Sequence, residues 1–298
     1  MLIARVIADR AALSASLAQV IDALAEQGLA ARHSIGPGGV DEILSEEADA
    51  RDWPRFRAAI EAHLPPAGVL IADHMPLVPG LFVSDMDSTM IGQECIDELA
   101  DFAGLKPQIA AITERAMLGE LDFAAALRKR VDLLTGLNEA AIAQCLAERI
   151  RPMSGAQTLV ATLKAQGCHT VLVTGGFHQF ADPVAAQLGF ERVVANRLEI
   201  AGGKLTGQVT GAIVDSSVKR AVLEEEAARL NIGRAGGRSS LATGDGANDI
   251  PMLQAACYGI AYHAKPKARA ASHGWIDWGD LTDVLRLLGI PEAEWAKC

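Results

Sequence analysis

Two aspartates separated by one residue follow a short apolar run. Asp85 and Asp87 come directly after Leu81-Phe82-Val83. Because alternate side chains of an extended segment point the same way, both carboxylates lie on one side of the predicted strand end. Carboxylates this close repel each other and require a cation or a shared proton. Mg²⁺ prefers hard oxygen ligands, so the pattern predicts a magnesium site. The alternative is a polar turn, where Asp and Ser are common.

A hydroxyl side chain and two glycines follow a second apolar run. Thr174-Gly175-Gly176-Phe177 comes after residues 170–173. At a helix start, a hydroxyl and glycine N–H groups form a seat for an anion. The alternative is a helix N-cap with glycines that allow tight packing.

An acidic, glycine-rich segment follows a third run. Gly244-Asp245-Gly246-Ala247-Asn248-Asp249 comes after Leu241-Ala242. Asp245 is placed to complete the metal site, and the glycines let the backbone approach a ligand. The alternative is a glycine-rich turn in which Asp249 caps a helix.

A fourth feature, Lys219, precedes the predicted helix 220–230. A lysine in that place is ordinarily a solvated surface charge.

The elements around these residues indicate an α/β domain. Apolar runs at 81–83, 170–173 and 241–242 end abruptly in small polar residues, with helices between them. This predicts a mainly parallel sheet with its functional loops at the carboxyl ends of the strands. Residues 97–150 lack a strand signal and are predicted to form an inserted helical cap. Residues 192–214 are predicted to form a hairpin with its turn at Gly202-Gly203.

The first 78 residues have a different pattern. Predicted strands and helices alternate as βαββαβ, a ferredoxin-like order; the segments are 2–8, 11–29, 30–34, 40–44, 54–64 and 69–72. We therefore expect a small N-terminal α+β domain at 1–78, followed by an α/β domain at 79–298 that carries the cap.

Composition excludes several classes of function. The net charge of −10 repels nucleic acids and anionic lipid, and aromatic residues make up only 4% of the chain. Five cysteines, without a CxxC pair, indicate reduced thiols in the cytoplasm. We see neither a secretory signal nor an apolar stretch of roughly 18 residues, so a membrane span is not expected.

The four chemical segments together resemble the haloacid dehalogenase superfamily. Its DxD, [S/T], K and GDxxxD motifs match Asp85/Asp87, Thr174, Lys219 and Asp245/Asp249. P-type ion pumps lack the second acid of the DxD pair and are disfavoured. Within the superfamily, the resemblance is greater to the phosphoserine phosphatase family. It covers about residues 80–290 and includes DMDSTMIGQECIDELA, LDFAAALRKRV, TGGF, ANRLEIAGGKLTG and ATGDGANDIPML.

This resemblance implies a fold and a reaction. The fold is a Rossmannoid parallel sheet with an inserted helical cap, preceded by an ACT-like unit. The reaction is hydrolysis of O-phosphoserine to serine and phosphate, the last step of serine biosynthesis. Asp85 is the expected nucleophile and Asp87 the general acid and base. The implied ligands of Mg²⁺ are the Asp85 side chain, the Asp87 backbone carbonyl and Asp245.

The resemblance also assigns the remaining contacts of the substrate. Phosphate oxygens are bound by Thr174, Gly175, Lys219 and Asn248, with Asp249 in support. In the cap, Glu94 faces the substrate ammonium and Arg130 grips its carboxylate, while Phe123 and Met117 are apolar lids. An arginine fork suits a carboxylate. The alternative for Arg130 is one charge in the solvated run 128–130. The cap is expected to close over the substrate.

Two departures from the family pattern qualify these expectations. Thr174 stands where serine is usual, which adds a methyl group to the phosphate seat. The N-terminal segment Asp9-Arg10-Ala11-Ala12 lacks the glycine that ACT-like domains use to admit an amino acid. We therefore expect a packing role, or a homodimer, ahead of allosteric serine binding.

Other functions are compatible with the same motifs. Within enzymes, these are a phosphotransferase, or a phosphatase for phosphohomoserine or phosphothreonine. Outside enzymes, the alternative is an amino-acid sensor without catalysis. The intact set Asp85, Asp87 and Asp245 argues against the sensor.

Overall fold

One mixed sheet of eleven strands runs through the computed structural model, which describes residues 1–117, 121–233 and 239–297. The strand order is β2-β3-β1-β4-β11-β10-β9-β5-β6-β7-β8. The strands are β1 Leu2–Ile7, β2 Arg32–Ile35, β3 Asp41–Ser45, β4 Gly68–Ala72, β5 Leu81–Ser84, β6 His169–Phe177, β7 Arg192–Ala201, β8 Lys204–Thr210, β9 Ser240–Gly244, β10 Tyr258–Tyr262 and β11 Gly274–Ile276.

Twelve α-helices are present in the described part of the chain. They are α1 Arg10–Glu26, α2 Trp53–His63, α3 Cys95–Phe102, α4 Lys106–Met117, α5 Phe123–Asp132, α6 Ala140–Glu148, α7 Ala156–Ala165, α8 His178–Leu188, α9 Ser216–Arg229, α10 Ile250–Ala255, α11 Pro266–Ala271 and α12 Thr282–Leu287. Within the described ranges, we find no helix whose length and apolar character would let it span a bilayer.

The N-terminal strands and helices follow the predicted βαββαβ order. Strands β1 to β4 pair antiparallel in the order β2-β3-β1-β4. Helix α1 buries Leu13, Leu17, Val20 and Leu24, whose spacing of three and four residues places them on one helical face. That face packs with α2 against one side of the strands.

The remaining strands form the predicted α/β core. Strands β11, β10, β9, β5, β6 and β7 pair in parallel, and β8 returns antiparallel to β7 as the expected hairpin. The three apolar runs of the sequence are β5, β6 and β9. Sequence patterns did not predict β10 and β11, which complete the sheet toward the N-terminal strands.

A strand pair joins the two parts of the molecule. Strand β4 lies antiparallel to β11, so the N-terminal strands extend the core sheet. The backbones approach closely there, because a Cβ at Gly274 would lie 2.4 Å from the Val69 carbonyl oxygen. On the face next to α2, Arg57 stacks on Trp275 with 4.7 Å from its guanidinium carbon to the ring centre. The proposed division at residue 78 therefore falls between two strands of a continuous sheet.

Helices α3 to α6 form the cap between β5 and α7. The β7–β8 hairpin supports it through backbone hydrogen bonds. The Leu205 N–H donates to the Leu137 carbonyl at 2.9 Å, and the Gly136 N–H donates to the Leu205 carbonyl at 2.8 Å. The cap is thus attached to the edge strand β8 of the core sheet.

A buried ion pair fastens β1 to both β3 and the C-terminal helix. Arg5 is 2% exposed; its Nε donates to Glu42 Oε1 at 2.9 Å and its Nη1 donates to the Leu287 carbonyl at 3.0 Å. A Cβ at Gly36 would lie 2.2 Å from Glu42 Oε1, so the carboxylate fills a space that a larger residue would occupy.

Removal of one partner of this pair is expected to destabilise the fold strongly. Arg5→Met leaves the Glu42 carboxylate buried without its cation, which costs about 3–5 kcal/mol. The double variant Arg5→Met/Glu42→Met removes both charges and should lose less. Urea unfolding measures the free energy for both. The interpretation would be contradicted if the double variant lost as much free energy of unfolding as Arg5→Met and Glu42→Met lose together.

Candidate active site

Three neighbouring strands bring the chemical residues together. Strand β5 pairs with β6 on one side and β9 on the other. The segments that end these strands line a cavity of about 790 Å³ between the core and the cap. Of the predicted site residues, those lining it are Asp85, Asp87, Glu94, Phe123, Arg130, Thr174, Gly175, Asp245 and Asn248. Met117 is the last residue of α4, and its side chain lies outside the described part.

The turn after β5 orients the first acids. The Asp85 N–H donates to the Thr243 carbonyl at 3.0 Å, which continues the β5–β9 pairing by one residue. Ser88 adopts a left-handed conformation with φ of 55°, and this reverses the chain. The Ser88 hydroxyl then donates to Glu94 Oε1 at 2.7 Å. A serine that the sequence did not single out therefore positions Glu94.

Lys219 is buried between two carboxylates, so the interpretation of it as a solvated surface charge is wrong. Its Nζ lies 2.7 Å from Asp85 Oδ1 and 2.7 Å from Asp249 Oδ1, and the residue is 1% exposed. Although burial opposes it, the charges of Asp249 and Asp85 raise the pKa of Lys219. The lysine is therefore protonated at neutral pH.

Asp249 links the lysine to the loop after β9. Its Oδ2 accepts hydrogen bonds from the Asp245 N–H at 3.2 Å and the Gly246 N–H at 3.0 Å. A Cβ at Gly244 would lie 2.4 Å from the Asp249 carboxyl carbon. Glycine is thus required for this carboxylate to fold under the loop. Asp249 precedes α10, but its side chain makes no capping hydrogen bond to that helix. Its bond to the Gly246 N–H instead closes the short 3₁₀ turn Ala247–Asp249.

Asp85, Asp245 and Asp249 form an acidic cluster that fits a divalent cation. One oxygen of each carboxyl group lies within 4.8 Å of the others. Burial and then the Asp249 charge raise the pKa of Asp85, against the opposing effect of Lys219. Burial, with Asp249 and Glu94, raises the pKa of Asp245 to about 6. A cation in addition to the Lys219 ammonium would favour the ionised form of these carboxyl groups. Their hard oxygen atoms suit a divalent cation.

Asp87 has the environment of a proton donor. Burial and the nearby Glu94 charge raise the pKa of Asp87 to about 8. Its Oδ1 is buried and accepts no hydrogen bond from any residue in the described ranges. Asp87 is therefore largely protonated at neutral pH, next to a carboxylate, Asp85, that Lys219 contacts. The carboxyl group of Asp87 lies outside the cluster of three acids.

The segment with Thr174 belongs to a strand, in contrast to the prediction of a helix start. Strand β6 continues through Phe177, and α8 begins at His178. The pairing of β6 with β7 is irregular between Val173 and Phe177, which turns this backbone toward the cavity. The Gly176 N–H donates to Thr174 Oγ1 at 2.9 Å. Because Thr174 Oγ1 accepts this bond, its hydroxyl proton can still donate to an anion.

The cap approaches this segment closely. A Cβ at Gly175 would lie 3.0 Å from the Cζ of Phe123, so glycine admits the aromatic ring. Asn196 secures the other side: its Nδ2 donates to the Gly175 carbonyl at 2.8 Å, and its Oδ1 accepts from the Val214 N–H at 2.9 Å. The sequence analysis missed Asn196, because nothing in its own strand marks it as polar support.

Arg130 differs from the two basic residues before it in its burial and in its contact with the cavity. Arg128 and Lys129 are exposed, whereas Arg130 is half-buried and lines the cavity. The alternative that it belongs to a solvated run is therefore wrong. Burial lowers the pKa of Arg130, against Asp97 and Glu94. Three further charged residues that the sequence analysis missed also line the cavity: Asp97, Lys265 and Lys267.

Comparison with known proteins agrees with this geometry. The model of the haloacid dehalogenase-like hydrolase family matches residues 82–254. The chain is 45% identical over 209 residues to a phosphoserine phosphatase of Idiomarina loihiensis. The matched region is 70% of this chain and 93% of that protein. The chain is 44% identical over 214 residues to one of Streptomyces coelicolor, which covers 72% of this chain. The chain spans about half, 51%, of that relative's length.

Solved structures show the same relationship. A probable phosphoserine phosphatase of Vibrio cholerae superposes with a TM-score of 0.72 at 32% identity, over 98% of this chain and 88% of that one. A phosphoserine phosphatase solved as a phospho-aspartyl intermediate analogue has a TM-score of 0.64 at 36% identity, over 70% of this chain and 98% of that one. The chain therefore belongs to the haloacid dehalogenase-like hydrolase family.

Proposed function

We propose that this protein hydrolyses O-phosphoserine to serine and phosphate through a phosphoaspartate on Asp85. The observation that carries the proposal is the placement of Asp85. It lies in contact with the Lys219 ammonium, in a cavity whose cap wall carries both Glu94 and Arg130. The cavity thus combines a nucleophile with both an acidic and a basic side chain on its cap wall. The relatives named phosphoserine phosphatase support the same substrate.

Asp85 is the group that forms the covalent bond. Its Oδ1 accepts hydrogen bonds from Lys219 and from the Met86 N–H at 2.8 Å, so the carboxylate has a fixed orientation. A carboxylate oxygen attacks phosphorus, and the bond from phosphorus to the serine oxygen breaks. Covalent catalysis replaces one difficult step by two easier ones. The analogue of a phospho-aspartyl intermediate in a relative supports this assignment.

Asp87 moves the proton in both half-reactions. Its raised pKa keeps a proton available for the serine oxygen as that oxygen leaves. The resulting carboxylate then accepts a proton from the water that attacks phosphorus, and the bond to Asp85 breaks. General acid–base catalysis of this kind contributes typically about 10²–10⁴-fold.

Mg²⁺ is the cation that the acidic cluster would hold. Asp85 and Asp245 are the side-chain ligands in this proposal, with the Asp87 backbone carbonyl; Asp249 is engaged by Lys219 and by backbone N–H groups. Bound there, Mg²⁺ offsets the repulsion between the nucleophile and the phosphate. Thr174, the Gly175 N–H and Asn248 bind phosphate oxygens from the opposite side.

The cap wall selects the amino-acid part of the substrate. Glu94 faces the ammonium, and Arg130 binds the carboxylate as a planar fork. Phe123 covers the phosphate seat beside Gly175. Five widely spaced cysteines without a CxxC pair favour reduced thiols, so we place the protein in the reducing cytoplasm.

Removal of the nucleophile tests the mechanism. Asp85→Asn keeps the shape of the side chain but cannot form the acyl phosphate, so phosphate release should fall on the order of 10⁴-fold or more. The measurement is phosphate release from O-phosphoserine, O-phosphothreonine, O-phosphohomoserine and phosphoglycolate. Turnover that survives in the variant would exclude the covalent route. Transfer of phosphate to added serine without net hydrolysis would indicate the phosphotransferase.

Metal removal tests the acidic cluster. Chelation by EDTA should abolish activity, and Mg²⁺ should restore it. Mg²⁺ should also raise the melting temperature, because a ligand at 100 times its Kd stabilises the folded state by about 2.7 kcal/mol. In Asp245→Asn this stabilisation should shrink. An unchanged response of that variant to Mg²⁺ would place the cation elsewhere.

Arg130 and its exposed neighbour provide a matched pair. Arg130→Lys keeps the charge but loses the bidentate fork. KM for O-phosphoserine should rise roughly 10-fold or more, with a smaller change in kcat. Arg128→Lys is the control and should behave like the parent. Equal effects in both variants would remove Arg130 from the proposed carboxylate site.

A further inference from the structure

Asp97, in the first turn of α3, follows Glu94 by three residues. Glu94 precedes the helix, and the Asp97 N–H donates to the Glu94 carbonyl at 3.1 Å. Residues three apart on a helix are neighbours on its surface. Both side chains line the cavity, together with Arg130. The cap wall therefore presents two carboxylates where the proposed function uses one.

The carboxylate of Asp97 is incompletely satisfied. Its Oδ1 is buried and accepts no hydrogen bond from the residues that the structure describes. Burial raises the pKa of Asp97, and the Glu94 charge adds to this effect while Arg130 opposes it. A buried acceptor without a donor is unfavourable, and such atoms are commonly paired by a ligand or by water.

Two of the neighbouring side-chain donors are already engaged. Lys106 Nζ donates to Glu98 Oε1 at 3.2 Å, and the Thr113 hydroxyl donates to the Ile109 carbonyl at 3.2 Å. The Ser88 hydroxyl donates to Glu94 Oε1, which leaves Oε2 as the second oxygen of Glu94. The wall thus presents the carboxyl groups of Glu94 and Asp97 to a ligand that brings its own donors.

The ammonium is the donor-bearing end of phosphoserine. It has three N–H groups, whereas ionised phosphate and carboxylate groups only accept. We propose that Asp97 determines specificity by accepting a hydrogen bond from the substrate ammonium beside Glu94. This inference rests on the proposed function, and it adds a residue that the resemblance does not assign. Two carboxylates also repel an ester that carries a carboxylate without an ammonium.

Three phosphomonoesters separate this role from the others. O-phosphoserine carries both groups, O-phosphoethanolamine carries the ammonium alone, and 3-phosphooxypropionate carries the carboxylate alone. For the full-length Asp97→Asn variant with Mg²⁺, kcat/KM should fall roughly tenfold or more for the two ammonium esters, chiefly through KM. It should stay constant or rise for 3-phosphooxypropionate. For an ester that is hydrolysed too slowly, its inhibition constant replaces kcat/KM.

Asp101→Asn is the matched control, because Asp101 lies on the same helix and contacts Arg149 at 3.4 Å. It should change none of the three values. A fall for the two carboxylate esters alone would mean that Asp97 acts by positioning Arg130, and it would overturn the proposal. An equal fall for all three esters would reduce Asp97 to a structural role. Thermal melts of each variant identify unfolding.

Failure of the proposed function gives a different result. A parent protein that does not turn over O-phosphoserine would refute that function directly. The Asp97 inference is tested separately. Its test is the ratio of kcat/KM, or of the inhibition constants, for O-phosphoethanolamine and 3-phosphooxypropionate, compared between the parent and the variant. An unchanged ratio in Asp97→Asn overturns the inference, and a ratio that shifts toward 3-phosphooxypropionate supports it.

Discussion

The contact of the Lys219 ammonium with Asp85 and Asp249 is the interaction on which the site depends. All three groups are buried, and a buried charge is tolerated only when it is paired and hydrogen-bonded. Asp249 extends the contact to the backbone of the loop after β9. The lysine thereby ties α9 and two strand ends to one point. Loss of the lysine would leave both carboxylates as buried charges without a counter-ion.

This central contact does not neutralise the site. One ammonium faces the three clustered carboxylates of Asp85, Asp245 and Asp249. Burial makes their full ionisation unfavourable, and the excess negative charge is relieved by a proton on one carboxyl group or by a further cation. The folded chain therefore favours a cation at this cluster. The cap wall adds the charges of Glu94, Asp97 and Arg130 to the cavity. In the proposed function these groups select the substrate, while the groups of the core carry out the reaction.

Much of this arrangement could be predicted from the sequence, for physical reasons. Buried parallel strands give apolar runs that end in polar residues, and this pattern located Asp85, Thr174 and Asp245. Short strands beside Gly residues, such as β11, have too few side chains to give a signal. The burial of Lys219 depends on packing between α9 and the loop after β9, which the local sequence does not record. Asn196 was missed for the same reason, because the backbone groups that it contacts lie on other segments of the chain.

The pairing of β4 with β11 has a consequence for synthesis of the chain. Strand β4 ends at Ala72, and its partner begins only at Gly274. At a translation rate of about 5–20 residues per second, the chain between β4 and β11 takes roughly 10 to 40 seconds to synthesise. During that time one edge of β4 has no partner strand. An open strand edge is a template for association with other chains. The nascent protein therefore passes through an interval in which its first folded segment is vulnerable to aggregation, and this interval ends when the last strand leaves the ribosome.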